Sequence, residues 1–181
     1  MEQVQRVISR AGERQVLMGE ENMGIWEESE IKSECKLERN EVAIEFCAQS
    51  RNESFARMVA AAYTAQLNPT MEEISDIKTA VSEAVTNAVI HGYSGGDGII
   101  RMRLALSGDE VQIEVTDHGV GIENILIAME PMYTTRPDME RSGMGFAFME
   151  AFMDELEVRS ALGRGTIVRM KKKIVPGVLR E

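Results

Sequence analysis

The stretch 70-TMEEISDIKTAVSEAVTNAVIHG-92 contains the signals of a helix start, a buried apolar stripe and a helix end. Thr70, followed three residues later by Glu73, forms a capping box in which each side chain binds a backbone N–H at the helix start. Apolar side chains then recur at helical spacing, at Ile74, Ile77, Val81, Ala84 and Ala88. The stretch therefore predicts a long helix that ends near His91 and Gly92 and packs this stripe against a core.

The residues before this helix predict one strand and one further helix. Alternate residues from Val42 to Phe46 are apolar, which is typical of a strand with one buried face. The run 50-SRNE-53 predicts a second capping box, which begins an Ala-rich helix that reaches about Leu67. An Asn-Pro pair at 68–69 ends that helix, because the residue before a proline disfavours helical backbone.

The residues after the long helix predict four more strands and one more helix. Apolar alternation over 100–106 and again over 111–115 predicts two strands joined by a tight turn. Residues 119–142 lack a period and contain two prolines, so we expect a long and mostly irregular connection with a functional purpose. A helix is predicted over 143–153, and a final hairpin over 155–173.

This order of elements predicts the fold class and the domain organisation. Helices and hairpins on one sheet are typical of an α+β fold. We predict a two-layer sandwich in which a mixed, mostly antiparallel sheet carries helices on one face. Residues 41–173 are predicted to form the domain, and residues 174–181 a C-terminal tail. Residues 1–40 carry many charges and no sustained period, so we expect a loosely packed N-terminal extension.

Charge and composition narrow the functional classes. The chain has 181 residues and a net charge of -10, which argues against direct binding to nucleic acid, because such proteins present a basic face. No apolar run approaches the length of a membrane span, and the N-terminus lacks the apolar region of a signal peptide. The two cysteines lack metal-ligand spacing and form no disulfide framework. We therefore expect a cytoplasmic protein that does not bind membranes.

Four short motifs are candidates for a functional site. Glu83 and Asn87 lie four residues apart on one side of the predicted long helix, largely opposite its apolar stripe. The runs 117-DHGVG-121 and 141-RSGMG-145 are glycine-rich, and the second precedes a helix, where free backbone N–H groups favour anions. The pair 165-GT-166 begins the last strand. Taken singly, these motifs also fit a solvated helix face, an Asp-Gly turn and a plain loop.

In this order the four motifs resemble the N, G1, G2 and G3 boxes of the GHKL superfamily, the ATPases and kinases related to gyrase, Hsp90, histidine kinases and MutL. The resemblance covers roughly residues 41–173 and implies a Bergerat-type ATP-binding fold. Longer runs are similar to the anti-sigma F factors of spore-forming bacteria, which are serine kinases that also hold a sigma factor inactive. These runs are 50-SRNESFAR-57, 79-TAVSEAVTNAVIHGY-93, 133-YTTRPDMERSGMGF-146 and 149-MEAFMDE-155.

The resemblance implies a role for each side chain near the metal and the base. Asn87 would bind Mg²⁺ through its amide oxygen, a hard ligand for a hard cation. Glu83 would be the catalytic base that accepts the proton of the attacking hydroxyl. Asp117 would accept a hydrogen bond from the adenine amino group of ATP, and Thr166 would support the same ring.

The resemblance also implies which residues hold the rest of the nucleotide. Gly119 and Gly121 would let the chain pass close to the base. Thr134 and Thr135 would reach the phosphates from a lid. The phosphates themselves would be cradled by Arg141, Ser142, Gly143, Met144 and Gly145.

The partners are implied by the same resemblance. They are an RNA polymerase sigma factor of sporulation, an anti-anti-sigma protein that is phosphorylated on serine, and a second copy of the chain in a homodimer. Arg57 is the candidate for a partner contact. Two alternatives remain open: an anti-sigma kinase of a stress-response sigma factor, and a non-catalytic module that binds a partner in a nucleotide-dependent way.

Overall fold

The computed structural model describes residues 4–9, 14–18, 40–130 and 144–175. Its strands are β1 (Val4–Ser9), β2 (Arg14–Met18), β3 (Asn40–Cys47), β4 (Ile99–Ser107), β5 (Glu110–Asp117), β6 (Glu155–Ala161) and β7 (Gly165–Lys173). Its α-helices are α1 (Arg51–Thr64), α2 (Met71–Asn87), α3 (Ile125–Ala128) and α4 (Gly145–Phe152). A 3₁₀ turn continues α1 over Ala65–Leu67. None of the helices in the described ranges combines the length and the hydropathy that a membrane span requires.

The strands form one seven-stranded sheet in the order β2-β1-β6-β7-β5-β4-β3. Every pairing between the described strands is antiparallel. The predicted α+β sandwich is therefore confirmed, and the parallel pairing that a mixed sheet would require does not occur among the described strands.

The core lies between the sheet and the helices. Alternate residues of β4, at Ile100, Met102 and Leu104, are fully buried and point toward the helices. Ile77 and Val81 of α2 are buried against the same core, as the apolar stripe predicted. Helix α2 also packs against both α1 and α4, so its buried surface extends beyond that stripe.

The opposite face of the sheet is polar and open to solvent. Its outward positions carry charged side chains that pair across neighbouring strands, because residues on one face of adjacent strands lie close together. Arg103 pairs with Glu41, and the Nε atom of Arg169 lies 2.5 Å from an Oε atom of Glu114. Further cross-strand pairs join Arg101 to Glu45, Arg169 to Glu157 and Lys171 to Glu155, and Arg159 pairs with Glu157 within β6.

The two predicted capping boxes have different outcomes. At Thr70 the box is confirmed, because the side chain accepts from the Glu73 N–H and Glu73 accepts from the Thr70 N–H at 2.7 Å. At Ser50 the prediction of a box is wrong, because that side chain makes no capping bond. The carboxylate of Glu53 instead accepts a hydrogen bond from the hydroxyl of Ser82 on α2 and pairs with Arg57.

Helix α2 ends in a π-helical turn over Ala88–Gly92. The N–H of Tyr93 donates to the carbonyl of Ala88, five residues back, at 3.1 Å. Such wide turns occur mostly as single bulges within α-helices and are frequent at functional sites. The sequence predicted the position where the helix ends, but not this widening.

The N-terminal region also differs from the prediction. No strand was predicted within residues 1–40, but β1 and β2 lie there, and β1 pairs with β6 from Val4 opposite Ser160 to Ser9 opposite Glu155. This pairing depends on the edge of a strand about 150 residues later, which no local pattern reveals. The boundaries drawn at residues 41 and 173 stay a prediction.

A buried ion pair fixes the far end of α4. The ammonium group of Lys172, on β7, donates to the carbonyl of Phe152 at 2.6 Å and to Asp76 of α2 at 3.1 Å. A cation at a helix C-terminus is favourable, because the helix dipole is negative there. The contact ties α4 to both α2 and the sheet and so supports the cleft described next.

Candidate functional site

A cleft of about 990 Å³ opens between α2, the first turn of α4 and the ends of β5 and β7. Its walls include most of the predicted site residues that the structure describes, namely Glu83, Asn87, Asp117, Gly121, Met144, Gly145 and Thr166. Gly119 lies next to lining residue Val120 in the loop that follows β5, residues 118–122, which we call the β5 loop. Four separate sequence motifs therefore meet at one cavity.

The acid and the amide of α2 face the start of α4. A Cβ atom placed on Gly145 would lie 3.0 Å from an Oε atom of Glu83 and 3.2 Å from the Nδ2 atom of Asn87. Both side chains are half-buried rather than solvated, because α4 packs against this side of α2. The alternative of a plain solvated helix face is therefore excluded.

The first turn of α4 is open toward that pair. Met144 precedes the helix and makes no side-chain capping bond, and Gly145 has no side chain to cover the turn. The first backbone N–H groups of a helix have no partner within the helix, so they attract anions together with the helix dipole. The predicted phosphate residues Arg141, Ser142 and Gly143, and the predicted lid residues Thr134 and Thr135, lie outside the described residues.

Asp117 is the buried carboxyl of the cleft. It ends β5 opposite Thr166 of β7, and its Oδ1 atom accepts from the N–H of Gly119 at 2.9 Å. Burial raises its pKa from 3.8 to about 6, although the backbone N–H groups of Gly119 and Thr166 act in the opposite direction. The Asp117 carboxyl can therefore accept a hydrogen bond from a donor in the cleft, although burial removes the water that would stabilise its charge.

The two predicted glycines of the β5 loop are needed for chain packing. A side chain on Gly119 would overlap the carbonyl of Gly92 at the end of the π-helical turn. Gly121 has a φ of +74°, and a side chain there would overlap the carbonyl of Ala161. Their expected purpose of letting the chain approach a ligand stays a prediction.

Several residues that position the site were missed by the sequence reading. Tyr93 donates its hydroxyl to the carbonyl of Ile99 at 2.7 Å and accepts from the N–H of His118 at 2.8 Å. Ser160 of β6 bonds to Thr166 and to the β5 loop. One signal pointed to Ser160: it is a polar residue at an inward position of an alternating strand. No local signal pointed to Tyr93.

Arg57 lies on α1, and its side chain is 40% exposed. Its guanidinium group pairs with Glu53 one turn earlier, at 3.2 Å. It is not among the residues that line the cleft. Its predicted contact with a partner stays a prediction.

Gly165→Ala is expected to destabilise the fold at the cleft. Gly165 has a φ of +92°, and a Cβ atom would overlap the backbone carbonyl of Asp117, which cannot move aside. Strain and overlap together predict a loss of about 3 kcal/mol in the free energy of unfolding, measured by urea denaturation. Gly163→Ala is the matched control, because φ is +70° there but the space is open. Equal losses in the two variants would contradict the packing argument.

Comparison with known proteins agrees with this geometry. Residues 46–172 match the family described as the histidine kinase-like ATPase domain. The chain is 58% identical over 135 residues to the anti-sigma F factor of Clostridium beijerinckii, covering 74% of this chain and 94% of that protein. It is also 58% identical to the anti-sigma F factor of Thermoanaerobacter pseudethanolicus, with 75% and 94% covered.

A solved structure shares the fold. The structure of the RsbU and RsbW domains of Rv1364c from Mycobacterium tuberculosis matches with a TM-score of 0.54 at 23% identity. The match covers 75% of this chain and 32% of that longer chain. The family model matches residues 46–172, and the first of these relatives is 58% identical over 94% of its length. The chain therefore belongs to the anti-sigma F factors and contains a histidine kinase-like ATPase domain.

Proposed function

We propose that this protein is an ATP-dependent protein serine kinase that also acts as an anti-sigma factor. The observation that carries the proposal is the position of Glu83 and Asn87 directly beside the open first turn of α4. A carboxylate, an amide oxygen and the first backbone N–H groups of a helix thus lie around one small volume. That combination suits a phosphoryl group with a hydroxyl approaching it.

ATP is the substrate that the cleft fits best. Asp117 and Thr166 line it from β5 and β7 and offer oxygen atoms to a base with an amino group. The first turn of α4 also lines it, and there phosphates would meet N–H groups and the positive end of the helix dipole. By resemblance, Arg141, Ser142 and Gly143 continue this phosphate site, and Thr134 and Thr135 close over it.

The residues present also fit a magnesium ion. Among the described residues no group of three or more His, Cys, Asp or Glu side chains could hold a metal alone. Mg²⁺ commonly takes one or two protein oxygens and completes its shell with substrate phosphates and water. Asn87 supplies such an oxygen, and the ion would neutralise charge on the phosphates. This oxygen lies on the same side of α2 as Glu83.

The proposed step moves a phosphoryl group to a serine hydroxyl. The serine oxygen forms a bond to the γ-phosphorus while the bond from that phosphorus to the β,γ-bridging oxygen breaks, and ADP leaves. Glu83 accepts the hydroxyl proton during this step. The side chain is half-buried in the cleft, where an oriented carboxylate can act at close range.

The partners are proposed from the relatives. Their name, anti-sigma F factor, supports a sigma factor as the bound protein, and by resemblance it would be a sigma factor of sporulation. The phosphorylated protein would be its anti-anti-sigma antagonist, and phosphorylation would keep the sigma factor sequestered. We also propose a homodimer, a cytoplasmic location, and a partner contact through the exposed guanidinium group of Arg57.

Co-purification from the native host, with and without Mg-ATP, tests the anti-sigma proposal. The expected result is a nucleotide-dependent complex with a sporulation sigma factor. Recovery of a stress-response sigma factor alone would contradict it. Transfer of radiolabel from ATP to serine of the co-purified antagonist tests the kinase proposal, and nucleotide-dependent binding without any transfer would leave only a binding module.

Gly145→Ala is expected to slow phosphotransfer with little change in stability. The added methyl group would displace the flexible ends of Glu83 and Asn87 by a few tenths of an ångström. A shift of this kind in positioned groups predicts a fall of about 10-fold in turnover at saturating ATP. Stopped assays of phosphoserine formation measure the rate, and thermal unfolding checks the stability. An unchanged rate would show that Gly145 does not set the geometry of the pair.

A further inference from the structure

We propose that Ser160 is a specificity-determining residue, which turns the Thr166 hydroxyl into a hydrogen-bond acceptor and so selects a purine with a 6-amino group over one with a 6-oxo group. This inference rests on the proposed function, since it concerns the base of the bound nucleotide. It follows from counting the hydrogens and lone pairs around one buried hydroxyl.

Ser160 is 9% exposed and has three hydrogen-bond partners. Its Oγ atom donates to the carbonyl oxygen of Gly165 at 2.8 Å and accepts from the N–H of Ile122 at 2.8 Å. The third partner is the Oγ1 atom of Thr166, at 2.9 Å. A serine hydroxyl has one hydrogen and two lone pairs, so three partners fill it completely.

The direction of the third bond follows from the other two. A carbonyl can only accept, so the single hydrogen of Ser160 is committed to Gly165. The bond between the two hydroxyls therefore requires Thr166 to be the donor. With its hydrogen directed at Ser160, the oxygen of Thr166 has only lone pairs left for the cleft that it lines.

Asp117 reinforces the same polarity. It lies opposite Thr166 across the β5–β7 ladder, and its ionised carboxylate also offers only lone pairs. Two neighbouring acceptors favour the binding of an amino group, which has two hydrogens to donate. A 6-oxo oxygen in the same place would find no hydrogen and would leave buried polar atoms unpaired, which costs affinity.

Ser160→Ala tests this by removing the group that holds the Thr166 hydrogen. The hydroxyl can then rotate and donate to a 6-oxo purine. Isothermal titration with ATP and with ITP, both with Mg²⁺, gives the ratio of the two affinities. In Ser160→Ala we expect the preference for ATP to fall by about 10-fold, the value of one redirected hydrogen bond. Ser160→Thr keeps the hydroxyl and is expected to keep the wild-type ratio.

Two further measurements separate this role from a structural one. Thr166→Val alone should also lower the preference for ATP, because it removes the acceptor, and it serves if Ser160→Ala fails to fold. In the double variant, Ser160→Ala should change the ratio no further. An unchanged ratio in either single variant, or an additional fall in the double variant, overturns the inference. If wild-type protein binds neither nucleotide, the proposed function fails as well. If wild-type protein binds ATP but the ratio is unchanged in the variants, only the role of Ser160 is lost.

Discussion

Glu83→Gln is expected to reduce transfer of phosphate to the serine substrate by about 1000-fold, the usual size of a general-base contribution. The amide keeps the shape and the neutral hydrogen bonds of the side chain, but it cannot accept the hydroxyl proton. Affinity for Mg-ATP should change little, because Asn87, Asp117 and the first turn of α4 are untouched. Single-turnover phosphorylation measures the rate, and calorimetry measures the binding.

Glu123→Gln is the matched control for this prediction. Glu123 also lines the cleft, but it follows the β5 loop and is not one of the side chains next to Gly145. Its amide variant should phosphorylate at close to the wild-type rate. If Glu83→Gln phosphorylates at the wild-type rate, Glu83 is not the base. If the variant instead loses affinity for ATP, Glu83 acts in nucleotide binding.

Asp117→Asn is expected to weaken ATP binding by about 100-fold while stabilising the ligand-free protein. The affinity falls because a charged acceptor is lost and the new amide group can present hydrogens to an amino group. The stability rises because burial holds the pKa of Asp117 at about 6 in the folded state, above its ordinary value of 3.8. An ionised Asp117 therefore works against folding at neutral pH.

The stability difference between Asp117→Asn and wild type is expected to depend on pH. Below about pH 4 the carboxyl is protonated in both folded and unfolded chains, so its ionisation contributes nothing. As the pH rises from about 4 through 6, the unfolded chain ionises first while the folded chain still holds the proton, so stability falls until the folded carboxyl has ionised too. The rise from 3.8 to about 6 corresponds to about 3 kcal/mol at most. The advantage of Asp117→Asn over wild type should thus grow between about pH 4 and pH 7.5 in urea titrations. A pH-independent difference would contradict it.

Local patterns predicted most of the fold. The capping box at Thr70, the stripe of α2 and the alternation in β4 depend on residues close in sequence, and each is confirmed. The box at Ser50 failed because Glu53 has a partner 29 residues away, in Ser82. Strand β1 was missed for the same reason, since β6 supplies its pairing, and β2 joins the sheet only through β1.

The candidate site was predictable where a motif has a fixed spacing. Glu83, Asn87 and Asp117 were singled out from such motifs, and the structure brings them to one cleft. The residues that orient the site are different in kind. Tyr93 acts on a loop 25 residues later, and Ser160 acts on one 38 residues earlier. Their hydrogen bonds form only once the chain has folded, so no residue spacing in the sequence predicts them.

The charged face of the sheet affects the electrostatic attraction between this protein and a partner. Its ion pairs are at least partly exposed and contribute little to stability, but they join five acids to five bases, namely Glu41, Glu45, Glu114, Glu155 and Glu157 with Arg101, Arg103, Arg159, Arg169 and Lys171. These charges cancel, whereas the whole chain carries -10. The excess negative charge of the chain therefore lies outside these ten residues. It would attract a positively charged protein, and added salt should slow that encounter.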